Sequence, residues 1–362
     1  MTFRTVPLTS LALAAALAAA VLPARAAFKP VPPTATVADS LIRPGEKHFA
    51  HMWQLTFGGQ NAEAYWSGDG RKLIFQSTRE GWPCDQEYVY DLASGKIVRV
   101  STGKGRTTCG YFYDHDRRVL WASTHLDADS CPPPPDMSKG YTWAISPGYE
   151  IFTSRPDGTD LQRLTNHPGY DAEGTMSVDG QWLIFTSKRD HDVDLYKMHM
   201  DGTGLTRLTN AVGYDGGAYF SHDGKRIVWR TYRTDDSVQV LLFHTLLDQD
   251  LVRPTHMDIW VGDADGTHQK QVTFKPGASF APYFTPDDKK IIFSSNWESP
   301  RSRNFDLYLV GADGGDLEPV TRDEGFDGFP MFSPDGHYLV FCANRGGKVK
   351  GETNIFIAEW RP

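Results

Sequence analysis

The sequence predicts an all-β fold, a six-bladed β-propeller of four-stranded antiparallel blades, closed by an N-terminal strand that joins the last blade. Three observations lead there. The first is a phrase written six times, at Trp66–Gly70, Phe112–Asp116, Met176–Gly180, Phe220–Gly224, Phe284–Asp288 and Phe332–Gly336, where its fullest form is Phe-Ser-Pro-Asp-Gly. The second is the pattern after each copy. An apolar run such as Leu183-Ile184-Phe185 leads to a second run such as Asp194-Leu195-Tyr196, and the unit closes on Arg163–Thr165, Arg207–Thr209, Gln271–Thr273 or Pro319–Thr321. One such unit cannot bury its own apolar face and must stack on neighbours. The third is a mismatch at the ends. Met52–Thr56 reads as a closing strand with no unit before it, and the last unit, Phe329–Trp360, lacks one. Joining the two completes the ring and removes an open edge that would invite aggregation.

Residues 1–26 read as a secretory signal: Arg4 supplies the positive start, Leu11–Leu22 the apolar run and Ala24-Arg25-Ala26 the cleavage site. The run falls short of the roughly 20 residues a membrane span needs. A periplasmic or secreted protein without a membrane span is therefore expected. Residues 27–48 read as an extended segment, and 49–362 as the propeller, with blades of about 57–101, 102–165, 166–209, 210–273, 274–321 and 322–362 plus 49–56. In the third blade the four strands, a to d, are placed at Gly174–Ser177, Trp182–Ser187, Asp194–His199 and Leu205–Thr209. Asp179-Gly180 and Asp201-Gly202 supply the positive φ of tight turns between them.

The blades differ mainly in the loop between strands b and c. Blade 2 inserts Leu126–Tyr149 with a stiff Cys131-Pro132-Pro133-Pro134-Pro135 run, and blade 4 inserts Arg233–Met257. In the latter, Val238, Leu241, Leu242, Leu246 and Leu247 have helical spacing, which predicts a short amphipathic helix lying on the propeller face. Blades 5 and 6 insert Trp297–Asn304 and Gly346–Thr353. All emerge on one side, the candidate functional face.

The formal charge is −8, with no basic block, which argues against a nucleic-acid partner. Four cysteines stand in a compartment that permits disulfides. Cys342 falls in a buried strand. One bridge is expected among Cys84, Cys109 and Cys131, with Cys84–Cys109 the favoured pair.

Aligning the blades gives rings of equivalent residues. Six positions before the turn Ser stand Asn61, Thr107, Asp171, Asp215, Ser279 and Asp327; four before it stand Glu63, Cys109, Glu173, Gly217, Ala281 and Phe329. After strand b stand Arg79, His125, Arg189, Arg233, Trp297 and Arg345, and at the start of strand c Glu87, Glu150, Asp194, Asp258, Asp306 and Asn354. The arginines could bridge to acids of a neighbouring blade and pin the blades together, or bind an acidic ligand such as a uronate or a carboxylate terminus. Tyr170-Asp171-Ala172-Glu173 with His125 could hold a divalent metal or act as acid and base. The residues expected to line a binding mouth are Asp171, Glu173, Arg189, Arg233, Arg345, His125 and Asp215. No cofactor and no dedicated metal centre is expected. The sequence has no G-x-S-x-G, H-E-x-x-H, Walker loop or C-x-x-C, and Gly213–Gly217 read as turn glycines.

The Ser-x-Asp-Gly, Asp-Leu-Tyr, Asp-Gly and Arg-Leu-Thr elements together resemble the TolB-type, WD-like propeller repeat over about Phe49 to Trp360. TolB itself carries a further domain before its propeller, for which residues 27–48 are too short. The resemblance implies a binding scaffold, expected to be a monomer, that takes a protein, peptide or glycan at its loop-rich face. The same repeat builds oligogalacturonide lyases, so the alternative is a metal-assisted polysaccharide lyase or hydrolase.

Overall fold

The computed structural model describes residues 29–136, 138 and 140–362. The expected signal, 1–26, lies outside the described residues. Six antiparallel sheets are arranged as blades around an axis. In blade 3 the strands are Asp171–Met176, Trp182–Ser187, Asp194–His199 and Thr206–Arg207, paired in sequence order. The innermost strand thus begins three residues earlier than its apolar pattern suggested. A bulge between Ala172 and Thr175 interrupts the alternation that marks a strand.

The ring closes as expected. Phe49–Gln54 pairs with Asn354–Trp360, placing Trp53 opposite Ile357. Thr36–Val37 then adds a fifth strand outside it. Arg345 joins this segment to the last blade. Its guanidinium meets Glu46 at 2.6 and 2.8 Å and Asp327 at 2.6 and 2.9 Å, and all three side chains are buried.

The repeated closing Thr has a single job in every blade. Its hydroxyl accepts the N–H of the second strand-c residue and donates to the polar side chain before it. Thr209 does so with Leu195 N (2.9 Å) and Asp194 (3.0 Å), and Thr56 with Ile355 N (2.9 Å) and Asn354 (3.2 Å). In blade 1 the partners of Ser101 are Glu87 N and Gln86. The strand-c ring therefore runs through Gln86, not Glu87. Because side chains alternate between faces, the one-residue slip turns Glu87 to the opposite side. There it is fully buried and its carboxyl oxygens have no partner.

Helix α1, Ser237–Leu247, forms in the blade-4 insertion, capped by Asp236 accepting from Gln239 N. It buries Phe243, Leu246 and Leu247 but leaves Val238, Leu241 and Leu242 exposed, so its apolar residues do not share one buried face. Beside it Leu251–Val252 pairs with Trp143–Ala144 of the blade-2 insertion, tying the two insertions together above blade 3. Phe243, Leu247 and Val252 share a small core there with Ile145, Tyr149, Tyr170 and Tyr214.

The disulfide joins Cys84 to Cys131, with Cα atoms 6.0 Å apart; Cys109 and Cys342 are free. The favoured Cys84–Cys109 pair is thus corrected. The bulge turns Cys109 toward the channel, while Gly105 N bonds Asp129 O at 2.9 Å and brings the next loop, with Cys131, back over blade 1. No helix among the described residues is long and apolar enough to cross a membrane.

Candidate functional site

The residues four before each turn Ser form the wall of the central channel. All six, Glu63, Cys109, Glu173, Gly217, Ala281 and Phe329, have φ between 49° and 62°, and five of them are not glycine. Each sits at a bulge in its innermost strand. A left-handed conformation costs a residue with a Cβ about 1–2 kcal/mol. Bulges re-aim side chains, and here they aim one position per blade at the axis.

Two residues further along each strand stand Tyr65, Tyr111, Thr175, Tyr219, Tyr283 and Met331. Tyr219 of blade 4 meets Tyr65 of the opposite blade 1 with ring centroids 5.7 Å apart, and also Tyr111 (6.2 Å) and Tyr283 (5.4 Å). These rings fill the axis. The channel is therefore a cup rather than a pore, of about 1050 Å³, open at the loop-rich face. Tyr65, Thr175 and Tyr219 form its floor, and Tyr141, Trp143, Thr255, Arg301 and Arg303 of the insertions form its rim.

The wall has two chemistries. Blades 5 and 6 give an aromatic side: Phe280 packs on Phe305 (5.0 Å between centroids) and Phe329 (5.6 Å), and Phe326 on Phe329 (5.9 Å). Blades 1 to 4 give a polar side. Glu173 is ion-paired with Arg230 and accepts from Thr186 Oγ1 (2.7 Å) and Tyr214 OH (3.0 Å). Arg230 also donates to Tyr214 OH at 2.7 Å and lies over the Trp143 ring. Gly217 has no side chain because Arg230 fills that space: a Cβ there would stand 2.0 Å from Arg230 Nη1. Gly213 and Gly217 thus lie in a strand, Gly213–Phe220, rather than a turn.

Glu63 has no ion pair among the described residues. Burial, with the nearby Glu173 charge, raises its carboxyl to about 7, against a weaker lowering by the Cys109 thiol. Burial and the same two carboxylates keep Cys109 a thiol. Glu87, behind Gly110, is pushed well above the carboxylate range by burial.

Of the seven predicted mouth residues, Glu173 lines this cup. The others stand outside it. Asp171–Arg189 (2.7 Å), Asp215–Arg233 (2.9 Å) and Asp327–Arg345 (2.6 Å) are ion pairs within one blade, not between neighbours as expected. The short span from the end of strand b to the start of strand a in the same sheet favours this. Arg189 also stacks on Tyr196 and Arg233 on Trp260 of strand c. His125 is the blade-2 counterpart: its ring lies 4.3 Å from Phe152 and bonds Ser123 Oγ at 3.0 Å, and burial lowers its pKa. Arg230, a cup-lining residue that the ring alignment missed, had a sequence signal. It is the lone charge at a strand-b position where the other blades carry Gln76, Ala122, Thr186, Ser294 and Cys342.

No family model matches the chain. The Tol-Pal system protein TolB of Bordetella pertussis (strain Tohama I) is 38% identical over 132 residues, which is 36% of this chain and 25% of that protein. The chain thus spans about a quarter of the length of the curated relatives it matches. Among solved structures, one described as TolB from Agrobacterium tumefaciens superposes with a TM-score of 0.57 at 20% identity, covering 84% of this chain and 91% of that one. An oligogalacturonate lyase in complex with manganese reaches 0.53 at 14% identity, covering 91% and 97%. At these identities the structural likenesses show the fold alone. The written repeat and the six blades make this chain a six-bladed β-propeller, locally similar in sequence to TolB.

Proposed function

We propose that this is an exported binding protein whose ligand, the part of a protein, peptide or glycan that enters, sits in the blind cup of the propeller. The observation that carries this is the cup itself. Six bulges aim one position per blade into a blind cavity of about 1050 Å³ with eleven aromatic rings in its lining. Ligand pockets are concave and mostly apolar, with a few placed polar groups. Backbone strain of this kind gathers at functional sites. Export is supported by the apolar leader and by the Cys84–Cys131 bridge, which suits an oxidising compartment.

The likeness to an oligogalacturonate lyase in complex with manganese raises the question of a metal. Among the described residues no three His, Cys, Asp or Glu side chains are grouped to hold one. Glu173 is committed to Arg230, and His125 stacks outside the cup. The residues do not fit a manganese centre, and no step is derived through one.

The test is a thermal-shift screen of peptides, sugars and small metabolites on the wild type and on Ala281→Phe. The bulge tolerates this change, since blade 6 already carries Phe329 there. Ligands that raise the melting temperature of the wild type and not of the variant support the cup. Shifts of equal size in both place binding elsewhere.

A further inference from the structure

We propose that the cup selects a ligand end that carries a single positive charge on an apolar body, an alkyl- or aryl-ammonium, with Glu63 as the counter-charge. This deepens the reading of the cup as the binding site and rests on it.

Around the ring the order is Phe329, Glu63, Cys109, Glu173, Gly217 and Ala281, from blades 6, 1, 2, 3, 4 and 5. Of the two acids in this ring, one is answered: Glu173 has Arg230. Glu63 has the thiol of Cys109 beside it and no ion pair among the described residues, since the nearby Arg230 is bound to Glu173. A half-buried carboxylate without an ion pair is poorly solvated, and a bound cation would supply its partner. On the other side Glu63 neighbours the aromatic side of the cup, Phe329, Phe326, Phe280 and Phe305. The faces of such rings attract cations, and their area takes up an apolar body. A carboxylate beside aromatic faces is the chemistry that recognises an organic ammonium.

The rim narrows the class further. Arg301 and Arg303 are exposed at the opening. They repel a second positive charge left outside, and so disfavour polyamines, while tolerating a neutral or acidic tail. The groups facing Glu63 are Cys109, Glu173, Arg230, Tyr65, Tyr219, Asp85 and, behind the wall, Glu87. Glu173 remains engaged with Arg230 throughout, so the charge that a ligand can meet is that of Glu63.

The experiment is calorimetry of the purified protein with three probes of one shape: phenethylammonium, 2-phenylethanol and phenylacetate. Galacturonate oligomers serve as the acidic competitor. The expected result is phenethylammonium bound at least tenfold more tightly than 2-phenylethanol. Glu63→Gln removes that advantage and leaves 2-phenylethanol unchanged. Phe280→Ala weakens both, and both variants melt cooperatively. Tighter binding of phenylacetate or of the uronates, lost in Ala281→Phe, overturns the cation and keeps the cup. Binding that Ala281→Phe leaves intact overturns both.

Discussion

Glu63 is the residue whose protonation the propeller alters in a way that melting can read. Its carboxyl is raised from the ordinary 4.5 to about 7, chiefly by burial. The unfolded chain releases this proton near 4.5 and the folded protein near 7, so the group's penalty is absent below the first value. Stability then falls as pH rises between the two and is level above. Glu63→Gln should therefore raise the melting temperature above pH 7 and change it little near pH 3.5, where both states are largely protonated. Equal effects at both pH values would show that Glu63 ionises freely. Arg345 gives the complementary test. Its replacement by Ala leaves Glu46 and Asp327 buried without a cation, a change that typically costs about 3–5 kcal/mol. Arg79→Ala orphans no buried acid, its nearest carboxylate being that of the exposed Glu80, and should cost well under that in a urea titration. These residue roles were legible in part. The ring alignment brought out Asp171, Asp215, Arg189, Arg233 and Arg345, because repetition marks equivalent places. It could not say that the pairs lie within a blade, since sequence spacing is the same for either partner. It placed Glu87 where Gln86 stands, because an acid was expected and the strand start is not marked by any turn residue.

At the scale of the element, the two long insertions decide the shape of the cup. The Cys84–Cys131 bridge spans 47 residues and anchors the loop that brings Tyr141 and Trp143 to the rim. In the chain-entropy description such a link contributes about 4 kcal/mol. A Cys84→Ser, Cys131→Ser variant should melt lower and lose ligand affinity together. Peptide mapping under non-reducing conditions should recover the Cys84 and Cys131 peptides joined, with Cys109 and Cys342 unlinked and the buried Cys342 alkylated only after unfolding. A linked Cys109 peptide would contradict the fold described for this loop. The pairing was hidden from the sequence for a physical reason: it depends on how a Pro-rich loop folds back over the preceding blade. Helix α1 was legible from its spacing, but the exposed Val238, Leu241 and Leu242 were not. Helical spacing shows that a helix can form, not which of its residues are covered. The bulges were equally silent, since Glu63, Cys109 and Glu173 carry no glycine to announce a positive φ.

For the whole molecule the sequence was most informative, because six repeats and one orphan strand leave a single way to close. Phe49–Gln54 does close the ring, and Glu46 locks it through Arg345. Removing residues 27–56 should open the last blade and yield an aggregating protein, seen as loss of a monomeric peak on size exclusion and of a cooperative transition. A soluble deletion product with a sharp melt would contradict closure by this strand. The tyrosines that stopper the axis turn the ring into a vessel. That too was unreadable in advance, since contact between opposite blades depends on the width of the channel.

We assign binding to the cup, and to the ion pairs outside it the bracing of each blade. Comparing calorimetric affinity for phenethylammonium in the wild type, Ala281→Phe and Arg189→Ala separates the two roles most directly. Ala281→Phe should abolish binding with little change in melting, whereas Arg189→Ala should lower the melting temperature and leave affinity within a few-fold of the wild type. Loss of binding in Arg189→Ala, with undiminished binding in Ala281→Phe, would contradict this division of roles.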